Sequence, residues 1–195
     1  MKSLLRVVAY LSLCISLNSF GALSDRGNGL IYDDVLDITW LQDANYAQTS
    51  GFDIDGRMTW SQSISWVDNF IYSDHSNWRL PSRGPFCHRW NCNQSEIGNL
   101  FYSTLGNTSI SAPNIGPFNN IQPSLYWTDT PANNNGVWGF IWSSGYQQTT
   151  TNYSHSFIWP VHDGDIGLVS IPLPAGITLF LSGLLSLGVA NLRNN

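Results

Sequence analysis

Cys87 and Cys92 enclose a histidine and an arginine in the run Pro85-Phe86-Cys87-His88-Arg89-Trp90-Asn91-Cys92, a dense concentration of side chains able to do chemistry. Two thiols at this spacing can close a disulfide or help to hold a metal. Zinc on Cys87, His88 and Cys92 would lack a fourth ligand and the usual ligand spacing. In an oxidising compartment an even pair reads as one disulfide, which here pins a local loop and not the whole fold. A second candidate is Asp53-Ile54-Asp55-Gly56, two carboxylates with a glycine for a sharp turn, which has part of the pattern of a calcium loop. No acid stands at the later position where an EF-hand places its bidentate ligand, so a solvated acidic turn ahead of a helix competes with calcium there. A third set is Asp129, Asn133, Asn134, Asn135 and Trp138, in which an indole could stack on a sugar ring while amide and carboxylate groups bond its hydroxyls. The competing assignment makes the tryptophan core and the asparagines turn residues. Four scattered histidines and no grouping of nucleophile, base and orienter argue against catalysis.

These residues need elements to hold them. Thr59 can cap a helix in which Trp60, Ile64, Val67 and Ile71 recur at helical spacing with Phe70 alongside, while Ser61, Gln62, Ser65 and Asp68 face outward. The run His75-Ser76-Asn77-Trp78-Arg79-Leu80-Pro81-Ser82 then reads as a strand entering a corner. Trp78 and Leu80 share one face, Arg79 points the other way, and Pro81 keeps Leu80 out of the helical region. Arg79 is read as a satisfied arginine beside a core tryptophan. A second helix is predicted over Ser95 to Leu105, capped by Ser95, ended by Gly106, and apolar along Ile97, Leu100, Phe101 and Leu105. Upstream, Gly27 to Trp40 predicts a hairpin with one buried face. Downstream, strands are predicted at Tyr126–Asp129, Gly136–Trp142 and Ser156–Val161, with Asn133–Asn135 and Gln147–Asn152 as loops.

The 195-residue chain carries all thirteen of its acids between Asp25 and Asp165, against five arginines there and no lysine beyond Lys2. Such a domain is a poor ligand for nucleic acid, whose binding rests on neutralising phosphates. Arg79, Arg83, His88 and Arg89 form one small basic cluster that could meet an anionic sugar or pair with nearby carboxylates.

Both ends read as processing segments. Residues 1–21 have the charged start, apolar middle and small-x-small site Ser19-Phe20-Gly21 of a secretory signal, so the mature chain is expected to begin near Ala22, leaving Cys14 in the leader. Residues 168–195 hold Pro172-Leu173-Pro174-Ala175, an apolar run from Gly176 to Ala190, and Arg193. That run spans a bilayer only if Ile171 to Pro174 are counted in, and a membrane-held sorting signal fits it better than a core helix. One domain over 22–167 is expected between them.

Gly27-Asn28-Gly29-Leu30-Ile31-Tyr32-Asp33 with Thr39-Trp40-Leu41-Gln42-Asp43, then Asp55-Gly56-Arg57-Met58-Thr59-Trp60, then Asn77-Trp78-Arg79-Leu80-Pro81, resemble the Lcl C-terminal domain family, a domain of unknown function. Ser95-Glu96-Ile97-Gly98-Asn99-Leu100-Phe101, Tyr126-Trp127-Thr128 and Trp159-Pro160-Val161-His162-Asp163-Gly164-Asp165 continue the resemblance over nearly the whole mature chain. The tail resembles a PEP-CTERM sorting signal of the VPLPA variant, with Ile171 in place of valine, which implies exosortase-type sorting machinery as a partner. The family resemblance implies an α+β, C-type-lectin-like fold: two helices packed on small antiparallel sheets, with long loops. It also implies kinship with adhesins that bind sulfated polysaccharides. The chain lacks the Glu-Pro-Asn, Gln-Pro-Asp and Trp-Asn-Asp triplets of calcium-dependent lectins, so no sugar site carries over.

The expected function is an exported, surface-associated, non-catalytic module that engages carbohydrate or matrix polymer through its loops. A structural envelope or matrix protein without a ligand site is the alternative. Arg79-Leu80-Pro81-Ser82 is also similar to a run in formylglycine-generating oxidases, but the acidic-tryptophan continuation of that motif is missing. No cofactor is expected beyond the calcium considered at Asp53 and Asp55.

Overall fold

A computed structural model describes residues 22–108 and 113–167. The leader at 1–21 and the sorting segment, with Pro172, Leu173, Pro174, Ala175 and Arg193, lie outside the described residues.

Turns at Asn28 and Gly29 and at Asp37, all with left-handed backbone, fold the first apolar stretches into an antiparallel meander. Its strands are β1 (Leu23–Gly27), β2 (Leu30–Asp33) and β3 (Ile38–Leu41), with Ile31 opposite Trp40. The predicted hairpin is present, but β3 is buried on both faces. The chain end covers the face expected to be open: Thr39 Oγ1 donates to the Gly164 carbonyl at 2.7 Å and accepts from the Ile166 amide at 3.4 Å. Arg26 grips Asp165 with Nε and Nη2 at 2.6–3.1 Å, fixing that segment against β1.

After the short helix α1 (Tyr46–Thr49) and strand β4 (Arg57–Met58), helix α2 covers Trp60–Asp68. Thr59 and Gln62 form a reciprocal capping box that satisfies the first free amides. Val67 and Phe70 are buried and Trp60 and Ile64 pack against the core as predicted, and the face also takes in Ser63 and Trp66. Ile71 lies beyond the end of the helix and is 69% exposed. Ser63 is tolerated inside because its hydroxyl donates to the Thr59 carbonyl at 2.9 Å.

The second predicted helix begins as expected, with the Ser95 side chain accepting from the Gly98 amide at 2.9 Å. Helix α3 (Glu96–Gly98) then widens into a π-helical turn, Asn99–Thr104, with Ile97, Leu100 and Phe101 buried. Strands β5 (Leu125–Pro131), β6 (Gly136–Ile141) and β7 (Tyr146–Thr151) follow, then β8 (Ser156–Phe157) and β9 (Val161–Asp163). The stretch predicted as one strand over Ser156–Val161 is two, because Ile158–Pro160 carries the chain from one sheet to the other. The sheets run β1-β2-β3-β9 and β4-β8-β5-β6-β7, antiparallel throughout except for the parallel β5–β8 contact. The fold is α+β, with two sheets and few helices.

Aromatic rings join the two sheets. Trp159, on the crossover, lies 5.0 Å from Trp40 of β3, 4.9 Å from Phe118, 5.7 Å from Tyr126 of β5 and 5.5 Å from Trp142. Its indole N–H donates to the Leu41 carbonyl, as that of Trp127 does to Met58, each at 2.8 Å. These two buried rings thus keep their polar edges satisfied, whereas Trp40 and Trp142 are buried with Nε1 unpartnered among the described residues.

The central run forms no full strand, pairing through an isolated bridge at Arg79, but its side chains divide as predicted. Trp78 and Leu80 are buried, and Arg79 faces the other way. Its amide and carbonyl pair with those of Val161 at 2.9 Å, while its guanidinium donates to both oxygens of Glu96 at 2.7 and 2.8 Å and to Asp163 at 2.6 and 2.9 Å. Glu96 Oε2 also accepts from the Ser82 amide at 2.6 Å.

Arg79→Ala leaves Glu96, a largely buried acid, without its partner. Urea denaturation should show a loss of about 2 kcal/mol, below the cost of a fully buried pair because Arg79 is 30% exposed. Its hydrogen bonds to Arg79 also hold Asp163 below the usual carboxylate range. That contribution is complete above the unfolded-state value and is lost as the pH falls through the lower folded value. Tm should therefore drop below about pH 4, and Asp163→Asn should flatten part of that drop.

Candidate functional site

Pro81 turns the chain out of the central run, and residues 82–94 leave the domain as a loop and return. Gly84 sits at the neck with φ of 73°, where a Cβ would collide with the Gln94 carbonyl. Only glycine lets the two arms close there. Farther out, Phe86, Arg89 and Asn91 have φ of 59°, 68° and 60°, values that side-chain-bearing residues rarely adopt. Such conformations persist where surrounding contacts enforce them. The contacts come from β7: the Arg89 amide donates to the Gln147 carbonyl and the Gln147 amide to that of Arg89, both at 2.8 Å. From beneath, the Cys87 carbonyl accepts Arg83 Nε at 2.6 Å and the Gln147 side chain at 3.4 Å.

With its backbone held, the loop turns its cysteines inward and its rings and bases outward. Phe86 and Trp90 are 86% and 52% exposed, and His88 and Arg89 are exposed beside them. A groove of about 380 Å³ runs between His88 and Arg89 on the loop and Trp138, Tyr146 and Gln148 on the sheet. The Arg83 guanidinium stacks 3.9 Å above the Trp138 ring, and Trp90 meets Tyr146 edge to face at 4.6 Å. A second hollow of about 310 Å³ lies against the same loop, lined by Phe86, Trp90 and Asn93.

The electrostatics set this groove apart. Among the described residues, Arg26 and Arg79 are paired with carboxylates, whereas Arg83 and Arg89 are in no ion pair. Two guanidinium groups outside any ion pair, Arg83 with its Nε given to the Cys87 carbonyl, and a histidine therefore stand beside aromatic faces in an acidic chain. Guanidinium is suited to bidentate contact with carboxylate or sulfate oxygens.

The residues singled out in the sequence are dispersed. Trp138 lies in the groove. Asn133, Asn134 and Asn135 form the exposed tip of the β5–β6 turn, and φ values of 57° and 58° at the last two mark them as turn residues. Asp129 is half-buried in β5, where its carboxylate accepts the Thr130 hydroxyl at 2.6 Å; burial raises its pKa. Arg79 is spent on its two carboxylates, which removes it from the basic cluster. Asp53 and Asp55 are turned onto their own loop: Asp53 Oδ1 accepts the amides of Asp55, Gly56 and Arg57 at 2.8–3.2 Å, and Asp55 Oδ1 accepts that of Arg57 at 3.0 Å. Among the described residues no group of three or more His, Cys, Asp or Glu side chains is placed to hold a metal. No helix of those residues is long and apolar enough to cross a membrane. Tyr146 and Gln148, which wall the groove, sit in a segment read from sequence as loop.

A family model described as the Lcl C-terminal domain matches residues 29–162. The chain belongs to that family. The match spans this Lcl C-terminal domain from the β1–β2 turn to β9 and includes the whole loop. No curated protein matches the chain.

The structure brings Cys87 and Cys92 together as buried thiols, without a bond between them. Burial and the adjoining Cys87 push the Cys92 thiol up to about 12. Alkylation of the reduced native protein by iodoacetamide at pH 8 should therefore run at least about tenfold slower at Cys92 than in urea, measured by mass spectrometry.

Proposed function

We propose that this Lcl C-terminal domain is an exported, surface-associated, non-catalytic module that binds acidic carbohydrate at the loop groove, on a fold of the C-type-lectin kind. The observation that carries the reading is the pair of guanidinium groups outside any ion pair, Arg83 and Arg89, set beside Trp138 and Tyr146 in an acidic chain whose other exposed arginine, Arg57, gives Nη2 to the His155 carbonyl. A negative background around this strip favours a polyanion there. The ring faces would stack on sugar rings, Gln148 and Thr149 would bond hydroxyls, and the guanidinium groups and His88 would take carboxylate or sulfate oxygens. Arg83 already lies on Trp138, so one cation is oriented before ligand arrives.

The leader-like start supports export, and export gives Cys87 and Cys92 a compartment in which they can join. The disulfide would fix the loop that presents Arg89 and lower the entropy lost on binding. The tail after Ile171 supports transient membrane anchoring and handling by exosortase-type machinery, which places the domain at the envelope surface. Calcium has no part in this reading.

The test is binding of the purified, folded protein to neutral, carboxylated and sulfated polysaccharides, followed by tryptophan fluorescence. Acidic polymers should bind saturably, and 0.5 M salt should weaken that binding. Arg83→Ala and Arg89→Ala should each lower affinity about fivefold, near 1 kcal/mol. A panel that leaves the fluorescence of folded protein unchanged would favour a structural envelope protein.

A further inference from the structure

We infer that the cleft between Phe52 and helix α2 is a separate site for an uncharged sugar residue, an inference that rests on the carbohydrate reading but not on the loop groove. The cleft holds about 540 Å³, within the size of small-ligand sites. One wall is Phe52, 60% exposed on the turn that follows Gly51, and Ile71 at the far end is exposed as well. Phe52 lies 5.6 Å from Trp66 at an interplanar angle of 37°, and Trp66 lies 4.7 Å from Phe70 at 38°. The three rings overlap as a tilted ladder with its outermost face open to solvent. Exposed phenyl surface of this kind is unfavourable unless something covers it.

The opposite wall is one face of α2 and its C-terminal cap, on which Gln62, Ser65 and Asn69 follow at successive turns. Each has hydrogen-bonding capacity left over. Gln62 spends its carbonyl oxygen on the Thr59 amide and hydroxyl, at 3.0 and 2.8 Å, and keeps its Nε2 donors. Asn69 donates Nδ2 to the Ser65 carbonyl at 2.9 Å and keeps its side-chain oxygen. The Ser65 hydroxyl makes no bond with the described residues. A donor, a hydroxyl and an acceptor thus line the helix about 5–6 Å apart, beside Trp66 and Phe70 and across from Phe52. A pyranose offers the complement, with apolar C–H faces for the ring and equatorial hydroxyls for the polar row.

Charge decides which sugar. No cation lines this cleft, and the Asp53 carboxylate stands at its rim with Oδ1 committed to three backbone amides. An acidic sugar would be repelled there, so the occupant is neutral. A second copy docking its own apolar surface would leave the polar row unpaired, which disfavours an interface between copies.

The test is titration of the full chain with neutral hexasaccharides of glucose and of N-acetylglucosamine, read by tryptophan fluorescence and calorimetry. Phe52→Ala, at an exposed ring, should lower affinity about tenfold and leave the circular dichroism unchanged. Asn69→Ala should lower it about threefold, near the net value of one hydrogen bond. Arg89→Ala should leave it unchanged, while Phe52→Ala should leave acidic-polymer binding unchanged. Neutral binding indifferent to Phe52→Ala overturns the cleft. So does absence of neutral binding in a protein that still takes acidic polymer through Arg89, a result that leaves the groove standing. Loss of both kinds of binding overturns both readings, and a Phe52-dependent self-association in sedimentation replaces the sugar with a second copy.

Discussion

Arg79 is the joint on which the two halves of the domain turn. Its backbone extends the first sheet by pairing with Val161 of β9, and its guanidinium reaches Glu96 at the head of α3 and Asp163. Glu96 in turn holds the Ser82 amide, and the Pro81 carbonyl takes the Asp129 amide of β5. Three elements far apart in sequence, β9, α3 and β5, are thus tied within a few residues of one side chain. Placing a charge there is costly unless every donor is matched. Arg79 is matched by two carboxylates and the Leu80 carbonyl; partial burial lowers its pKa, but Glu96 and Asp163 raise it above the ordinary arginine value. The loop bearing the candidate site departs directly after this joint, so its root is rigid even though its outer turn is not regular structure.

The tryptophans fall into a core set and a surface pair, and the indole N–H does not decide which, since Trp40 and Trp142 are buried with Nε1 unpartnered among the described residues. Trp127 and Trp159 donate to backbone carbonyls and lie fully buried between the sheets. Trp90 and Trp138 have no such partner and sit at the surface, one against Tyr146 and the other beneath Arg83. Composition alone cannot separate the two classes, because burial follows from which strand faces which sheet.

Local signals were legible in the sequence and long-range ones were not. The Thr59 cap, the Ser95 cap, the β2–β3 hairpin and the orientation of Arg79 between two buried neighbours all follow from chemistry within a few residues. The face of α2 is legible through Trp60, Ile64, Val67 and Phe70 but not at Ile71, because Asn69 ends the helix and frees that side chain. β7 was missed because Gln147, Gln148 and three threonines read as polar loop; the β-branched threonines were the available signal. The membership of Trp138 in a site with Arg89 depends on the pairing of the loop with Gln147, nearly sixty residues away, which no local pattern encodes. Of the residues offered as a ligand platform, Asn133, Asn134 and Asn135 form the tip of the β5–β6 turn, with left-handed backbone at the last two.

The Arg89–Gln147 pairing does a second thing. β7 is the last strand of its sheet, and a last strand offers unpaired amides and carbonyls to any extended chain that comes near. By laying its own backbone there, the loop occupies a place where a neighbouring molecule could add a strand. The segment that carries the exposed rings and cations is therefore also the guard of the sheet's open margin. Removing that stretch would leave the Gln147 amide and carbonyl bare at the margin of the sheet.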